Sequence, residues 1–108
     1  MKSIYITGGN GVLATNLVQY LNLHKIKLSL RKYENLIPKA DYDLVDSRNY
    51  SLVKSKILDF KPHVIIHTAG MTDIEKSEKF PKLAYESNVK YSRELARISS
   101  LIGCKFIY

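Results

Sequence analysis

Hydrophobic residues recur with alternating periods along the first part of the chain. Ser3-Ile4-Tyr5-Ile6-Thr7 is β-branched and aromatic, which is typical of a strand, and a glycine turn that begins at Gly8 follows it directly. Residues 26–30 alternate with a period of two and predict a second strand. Between these strands, residues 12–23 carry one apolar stripe at helical spacing, formed by Leu13, Leu17, Val18 and Leu21.

The middle of the chain predicts a further strand, helix and strand. A short strand is expected near residues 42–45, followed by a helix that Asp46 caps and that Lys61-Pro62 ends. The run over residues 63–67 is nearly all apolar, as expected of a strand that is covered on both faces. The apolar stripe of the helix consists of Tyr50, Val53, Ile57 and Phe60.

The last third of the chain predicts a polar loop over residues 70–80, a long helix and a final strand. Pro81 suits the first turn of the helix, Gly103 stops it, and the strand opens at Lys105. One face of the helix carries Ala84, Asn88, Tyr91, Leu95, Ile98 and Ile102. This alternation predicts an α/β fold, a Rossmann-like doubly wound parallel sheet of about five strands. The chain stops at a strand that would be buried in such a sheet, so we expect residues 1–108 to be the N-terminal portion of a longer domain.

Composition and charge limit the kinds of function that this chain can have. The chain has 45% hydrophobic and 25% charged residues, as in a soluble globular domain, and no stretch suited to a signal peptide or membrane span. A net charge of +7 favours anionic ligands, but the basic residues are scattered, so we expect no nucleic-acid partner. With one cysteine and no zinc-ligand spacing, we expect a cytoplasmic protein without disulfide or metal.

The most informative stretch is Thr-Gly-Gly-Asn-Gly-Val-Leu-Ala over residues 7–14. It satisfies G-x-G-x-x-A through Gly9, Gly11 and Ala14, between a predicted strand and a predicted helix. Glycines let the backbone approach a pyrophosphate, and the helix start offers unpaired N–H groups and a positive dipole end. The motif therefore predicts a dinucleotide site. The alternative is a glycine turn that holds no ligand.

The end of the second predicted strand bears on the choice of cofactor. An Asp or Glu about 20 residues after the glycine motif usually receives the adenine ribose hydroxyls. This chain has Arg31 and Lys32 at that point instead. We therefore expect a ribose 2′-phosphate at Arg31 and favour NADPH, with NAD possible. The alternative is that both cations are merely solvated.

The motif from Thr7 to Ala14 is similar to that of extended short-chain dehydrogenases/reductases. Residues 42–46, 61–70, 71–78 and 84–89 also follow one another as in dTDP-4-dehydrorhamnose reductases, so the resemblance covers essentially all 108 residues. It implies the NAD(P)-binding part of an enzyme that reduces a 4-keto sugar nucleotide for polysaccharide biosynthesis. It also implies that the catalytic Ser or Thr and the Tyr-x-x-x-Lys helix lie beyond Tyr108, so no catalytic residue is assigned and the 108 residues alone are expected to be inactive.

The same resemblance implies roles for particular residues. Asp43 and the backbone of Leu44 would meet the adenine, Thr72 and Ile74 would lie near the sugar-nucleotide substrate, and Asn88 would brace the loop backbone. The pyrophosphate loop would be lined by Gly8, Asn10, Gly11, Val12 and Leu13. The ribose and nicotinamide would lie beside Ala69, Gly70 and Thr72. Structural alternatives are a turn at Asp43, a helix cap at Thr72 and a core amide at Asn88.

One substitution departs from that pattern, and one match to a catalytic motif lies outside its expected place. His67-Thr68 replaces the usual Asn-Ala, and we expect His67 to be a hydrogen-bonded packing residue without a part in proton transfer. Tyr50 and Lys54 form a literal Tyr-x-x-x-Lys, but in a helix where we expect a structural role.

Other functions remain open. A similarity to the regulatory β subunit of methionine adenosyltransferase implies a non-catalytic nucleotide-binding module. Sugar-nucleotide epimerases and dehydratases are less favoured. They usually carry an acidic residue after the second strand, where this chain has Arg31 and Lys32. If the chain natively ends at Tyr108, its last strand would lie at a sheet edge, and we would expect a homo-oligomer.

Overall fold

The structure, a computed structural model, describes residues 1–8, 12–21, 23–30, 41–68 and 81–108. The side chains of residues 12, 13, 15 and 81–87 lie outside that description. Within these ranges the chain forms five strands and three helices. In chain order they are β1 (Ser3–Thr7), α1 (Val12–Tyr20), β2 (Lys25–Leu30), β3 (Asp41–Leu44), α2 (Tyr50–Phe60), β4 (Val64–His67), α3 (Pro81–Ile102) and β5 (Lys105–Ile107).

All the described strands run parallel in one sheet with the order β3-β2-β1-β4-β5. The chain first moves outward from β1 to β3, then returns to the centre and moves outward on the other side through β4 and β5. The direction of winding therefore reverses between β1 and β4, where Thr7 pairs with His67. This arrangement confirms the Rossmann-like doubly wound fold predicted from the sequence.

Helices cover both faces of the sheet because successive side chains of its central strand point to opposite sides. Ile4 and Ile6 of β1 pack in a cluster with Ala14 of α1. Tyr5, between them, packs on the other face in the cluster formed with α2 and α3. The buried members of that second cluster are Tyr5, Val45, Val53, Ile57, Ile65, Tyr91, Leu95 and Ile98. Phe60 of α2 and Ile102 of α3 pack against the cluster, so among the described side chains the predicted apolar faces of both helices are confirmed except at Tyr50 and Asn88, which are half-buried.

The start of α2 corrects one prediction. Asp46 does not cap this helix; the side chain of Asn49 accepts the N–H of Leu52, 3.2 Å away. The carboxylate of Asp46 instead accepts the backbone N–H of Arg48 at 2.9 Å and pairs with the Arg48 guanidinium at 2.8 Å. Asp46 therefore makes a turn that ends just before the helix, and the cap falls to the next short polar side chain.

The ends of α2 and α3 lie where the sequence predicted them. Lys61 has a φ of 55° and donates its N–H to the carbonyl of Ile57, and Pro62 prevents continuation. Gly103 has a φ of 68°, and Cys104 N–H donates to the Ser99 carbonyl at 2.9 Å. The latter is the hydrogen bond of a Schellman motif, in which glycine adopts the left-handed conformation at no steric cost. α1, by contrast, ends at Tyr20, earlier than the stripe over residues 12–23 predicted.

Candidate functional site

The candidate site lies at the carboxyl edge of the sheet, at the switch point between β1 and β4. Gly8 follows β1 with a φ of 70°, a conformation that favours glycine, and α1 begins at Val12. In open parallel sheets ligands bind at this position, where the winding reverses. The N-terminal amides of α1 and the positive end of its dipole favour an anionic group there.

Two threonines tie the end of β1 to the end of β4. The backbone N–H of Thr68 donates to Thr7 Oγ1 at 3.1 Å, and the hydroxyl of Thr68 donates to the carbonyl of Thr7 at 2.5 Å. The same hydroxyl lies 3.4 Å from the carbonyl oxygen of Gly8. Both threonines are buried. These bonds continue the pairing of the two strands past their last residues and fix the direction in which the chain leaves β1 at Gly8.

His67 extends this cluster to α3. Its Nδ1 lies 2.6 Å from Thr7 Oγ1 and its Nε2 lies 2.9 Å from Ser92 Oγ. The buried ring meets Tyr91 edge-on at 5.1 Å between centroids. Burial lowers the pKa of His67 to about 4, so the imidazole is neutral at pH 7. The prediction that His67 is a hydrogen-bonded packing residue is confirmed.

Sequence reasoning assigned no role to Ser92, Thr7 or Thr68 in this cluster. A signal for each was present. Thr7 and Thr68 are polar residues at the ends of two strands predicted to be buried, and Ser92 follows Asn88 by one helical turn. What the sequence did not contain is the pairing of β1 with β4, which brings residues 60 positions apart within 3 Å.

Asp43 lies in β3 with its carboxylate directed into the protein. The carboxylate accepts a hydrogen bond from the hydroxyl of buried Tyr5 at 3.3 Å, and Lys27 Nζ lies 3.9 Å from its other oxygen. Desolvation and the nearby Asp43 charge together raise the pKa of Tyr5 well above its usual range. The neighbouring Leu44 is exposed at the end of β3. The adenine contact expected of Asp43 and Leu44 stays a prediction.

Some of the remaining predicted site residues lie in the part of the chain that the structure describes, and others lie outside it. Asn88 is half-buried on α3, one turn before Ser92, and the backbone of Val12 and Leu13 forms the start of α1. Tyr50 is half-buried and Lys54 exposed on α2, which connects β3 to β4. Seven predicted site residues lie outside the described ranges: Asn10, Gly11, Arg31, Ala69, Gly70, Thr72 and Ile74.

A concavity lies away from the switch point, between α2 and the outer strands β2 and β3. It is lined by Lys25, Lys27, Asp41, Asp43, Lys56, Asp59 and Phe60. Lys25 and Lys27 place their ammonium groups 5.5 and 5.6 Å from the centre of the Phe60 ring. Among the side chains that the structure describes, no three metal-ligating groups come together. The helices in the described ranges include none that could cross a membrane.

The doubly wound parallel sheet, with Gly8 in the left-handed conformation and a helix start at its switch point, defines a Rossmann-type α/β fold. The family model described as the RmlD substrate binding domain matches residues 1–108, and the chain belongs to that family.

Relatives and solved structures agree with this assignment. Methionine adenosyltransferase 2 subunit beta of Xenopus laevis is 31% identical over 103 residues, which are 95% of this chain and 30% of that protein. A dTDP-4-dehydrorhamnose reductase of Aggregatibacter actinomycetemcomitans is 33% identical over 96 residues, 89% of this chain and 30% of its own length. The crystal structure of dTDP-4-dehydrorhamnose reductase from Bacillus anthracis in complex with NADP has a TM-score of 0.77 and 31% identity, and covers 100% of this chain and 36% of the reductase. The chain thus spans about a third of the length of these proteins.

Proposed function

We propose that this chain binds the pyrophosphate of a nicotinamide dinucleotide in the crevice between β1 and β4. The observation that carries the proposal is the left-handed conformation of Gly8, which directly follows a central strand, with a helix starting at Val12, at the point where the winding reverses. The Thr68 hydroxyl engages the Thr7 carbonyl on the β4 side of this turn. We infer that Gly8, Asn10, Gly11, Val12 and Leu13 present their backbone to the diphosphate.

NADPH is the proposed cofactor, with Arg31 as the partner of its 2′-phosphate. The support is the position of Arg31, directly after Leu30 at the carboxyl end of β2, where an acidic residue would repel that phosphate. The related Bacillus anthracis reductase was crystallised in complex with NADP. We further propose that Asp43 and Leu44 face the adenine, that Ala69, Gly70 and Thr72 lie beside the nicotinamide end, and that Asn88 braces the loop.

As part of a longer protein, the proposed activity is reduction of a 4-keto sugar nucleotide of the dTDP-4-dehydrorhamnose type. The dinucleotide, when bound, supplies the hydride. The residues of this chain would bind and orient the cofactor, and Thr72 and Ile74 would contact the substrate. The residue that gives a proton to the carbonyl oxygen would come from outside residues 1–108.

A calorimetric titration of the chain with NADPH and NADH tests the proposal. We expect saturable binding of both, with NADPH the tighter, and Arg31→Ala should weaken NADPH but leave NADH unchanged. Gly8→Ala should weaken both, by roughly tenfold, because a Cβ strains the φ of 70° that shapes the turn.

Gly103→Ala is the matched control for that variant. It introduces the same strain at a φ of 68°, with no atom within 4 Å of the added Cβ, at the far end of α3. We therefore expect it to lower stability and leave dinucleotide affinity intact. If neither dinucleotide shows saturable binding, the proposed function is wrong. If Gly8→Ala and Gly103→Ala lose the same amount of dinucleotide affinity, Gly8 is not part of the binding site.

A second candidate function is that of a non-catalytic regulatory module. The observation that favours it is the 31% identity to methionine adenosyltransferase 2 subunit beta over 95% of this chain. Co-purification with a methionine adenosyltransferase catalytic subunit, together with a changed rate of adenosylmethionine formation, would support this alternative. Reduction of a 4-keto sugar nucleotide by the full-length protein would support the enzyme.

A further inference from the structure

A continuous series of hydrogen bonds joins α3 to the glycine turn through the His67 imidazole. It passes from Ser92 on α3 to His67 at 2.9 Å, and from His67 to Thr7 at 2.6 Å. From Thr7 it passes to Thr68, whose hydroxyl reaches the Gly8 carbonyl. The series therefore ends at the first residue of the turn proposed to hold the pyrophosphate.

The ring at the centre of this series cannot turn freely. Tyr91 meets it edge-on, and Phe106 stacks on it with an interplanar angle of 23° and centroids 6.2 Å apart. The ring of Tyr108, the residue after β5, has its centroid 5.5 Å from that of the imidazole. Because these rings hold the imidazole plane, the two ring nitrogens point in fixed directions, toward β1 and toward α3. A neutral imidazole satisfies both partners, since one nitrogen donates and the other accepts.

We propose that His67 and Ser92 are positioning residues of the dinucleotide site, which hold Thr7 and hence the Gly8 turn in place relative to α3. The inference rests on the proposed function, because it concerns the same crevice. Neither side chain needs to touch the ligand. Their effect is transmitted by Thr7, whose hydroxyl meets both the imidazole and the Thr68 amide.

The test compares two serines of the same helix. Ser92→Ala removes the partner of His67 Nε2 and keeps the imidazole. Ser99→Ala is the matched control, because Ser99 lies on the same helix, is more deeply buried than Ser92, and donates its hydroxyl to the Leu95 carbonyl one turn back. NADPH dissociation constants and melting temperatures are measured for the wild-type chain, both alanine variants and Ser92→Thr.

We expect Ser92→Ala to weaken NADPH binding by roughly fivefold, the size of one hydrogen bond. Ser99→Ala should lower the melting temperature without changing the dissociation constant, and Ser92→Thr should restore binding because it returns a hydroxyl. His67→Gln, which keeps polar atoms on a side chain of similar length, should bind more tightly than His67→Phe. The ¹⁵N resonances of the His67 ring should also shift when NADPH is added.

The outcomes separate this inference from the proposed function. If the wild-type chain binds neither NADPH nor NADH, the proposed function fails and takes the inference with it. If the wild-type chain binds NADPH and Ser92→Ala binds it equally well, the inference alone is overturned. Equal weakening by Ser92→Ala and Ser99→Ala would also overturn it, since loss of helix stability would then explain both.

Discussion

Acid should destabilise this protein through His67. Burial lowers the pKa of the folded imidazole to about 4, whereas the ordinary value, expected in the unfolded chain, is 6.5. Between these two values the unfolded chain binds a proton that the folded chain does not bind. The free energy of unfolding therefore falls as the pH drops from about 6.5 to about 4, and this contribution is constant below that range.

The size of the effect follows from the difference between the two pKa values. At about 1.4 kcal/mol per pKa unit, the loss is about 1 kcal/mol at pH 6, about 2 kcal/mol at pH 5 and about 3 kcal/mol at pH 4. Small domains have a total stability of about 5–15 kcal/mol, so the last figure is a large fraction of the whole. His67 is only 6% exposed, so solvent screens little of the penalty for charging it.

Urea unfolding followed by circular dichroism at pH 7, 6, 5 and 4.5 measures this contribution when wild type is compared with His67→Gln. Glutamine does not titrate in this range, so its variant should become more stable relative to wild type by about 2 kcal/mol between pH 7 and 5. All other groups are common to the two proteins, so the difference between their profiles reports on position 67 alone. Parallel pH profiles for the two proteins would refute the reasoning, because they would show that His67 takes up its proton equally in both states.

Three further predictions concern the packing and the helix ends. Leu95→Ala should lower the free energy of unfolding in urea by about 2–5 kcal/mol, because Leu95 is fully buried. Leu101→Ala, on the same helix at a side chain 67% exposed, should change it by less than about 0.5 kcal/mol. Similar changes in the two variants would contradict the packing of α3. Asn49→Ala should lower stability by about 1 kcal/mol and Asn49→Asp should retain it, since the cap needs a side-chain acceptor for the Leu52 N–H; equal losses would argue against the cap. Lys61→Gly should raise the melting temperature by an amount equivalent to about 0.5–1 kcal/mol, because Lys61 holds a φ of 55° that glycine adopts without strain, and a lower melting temperature would be the contrary result.

The sequence predicted those parts of the fold that depend on local pattern. The stripes of α2 and α3, the stop at Gly103 and the strand before Gly8 all follow from side-chain periodicity or from a residue with unusual backbone freedom. The choice of cap for α2 was wrong because Asp46 and Asn49 are both good caps. Competition between them is decided by the Asp46–Arg48 turn, which the periodicity of the helix does not encode.

The hydrogen-bonded cluster at the switch point was beyond local pattern, because it depends on which strands become neighbours. The two ring nitrogens of His67, at the end of β4, find partners only because a hydroxyl from β1 and a hydroxyl from α3 lie on its two sides. Thr7, Ser92 and Thr68 acquire that role from the order β3-β2-β1-β4-β5, in which the first and fourth strands lie side by side. The same reversal of winding places Gly8 and the start of α1 at the switch point, so the hydrogen bonds of His67 and the proposed pyrophosphate site have one structural origin. A variant that removes one of these hydrogen bonds should therefore change dinucleotide affinity, and Ser92→Ala tests this from the α3 side of the ring.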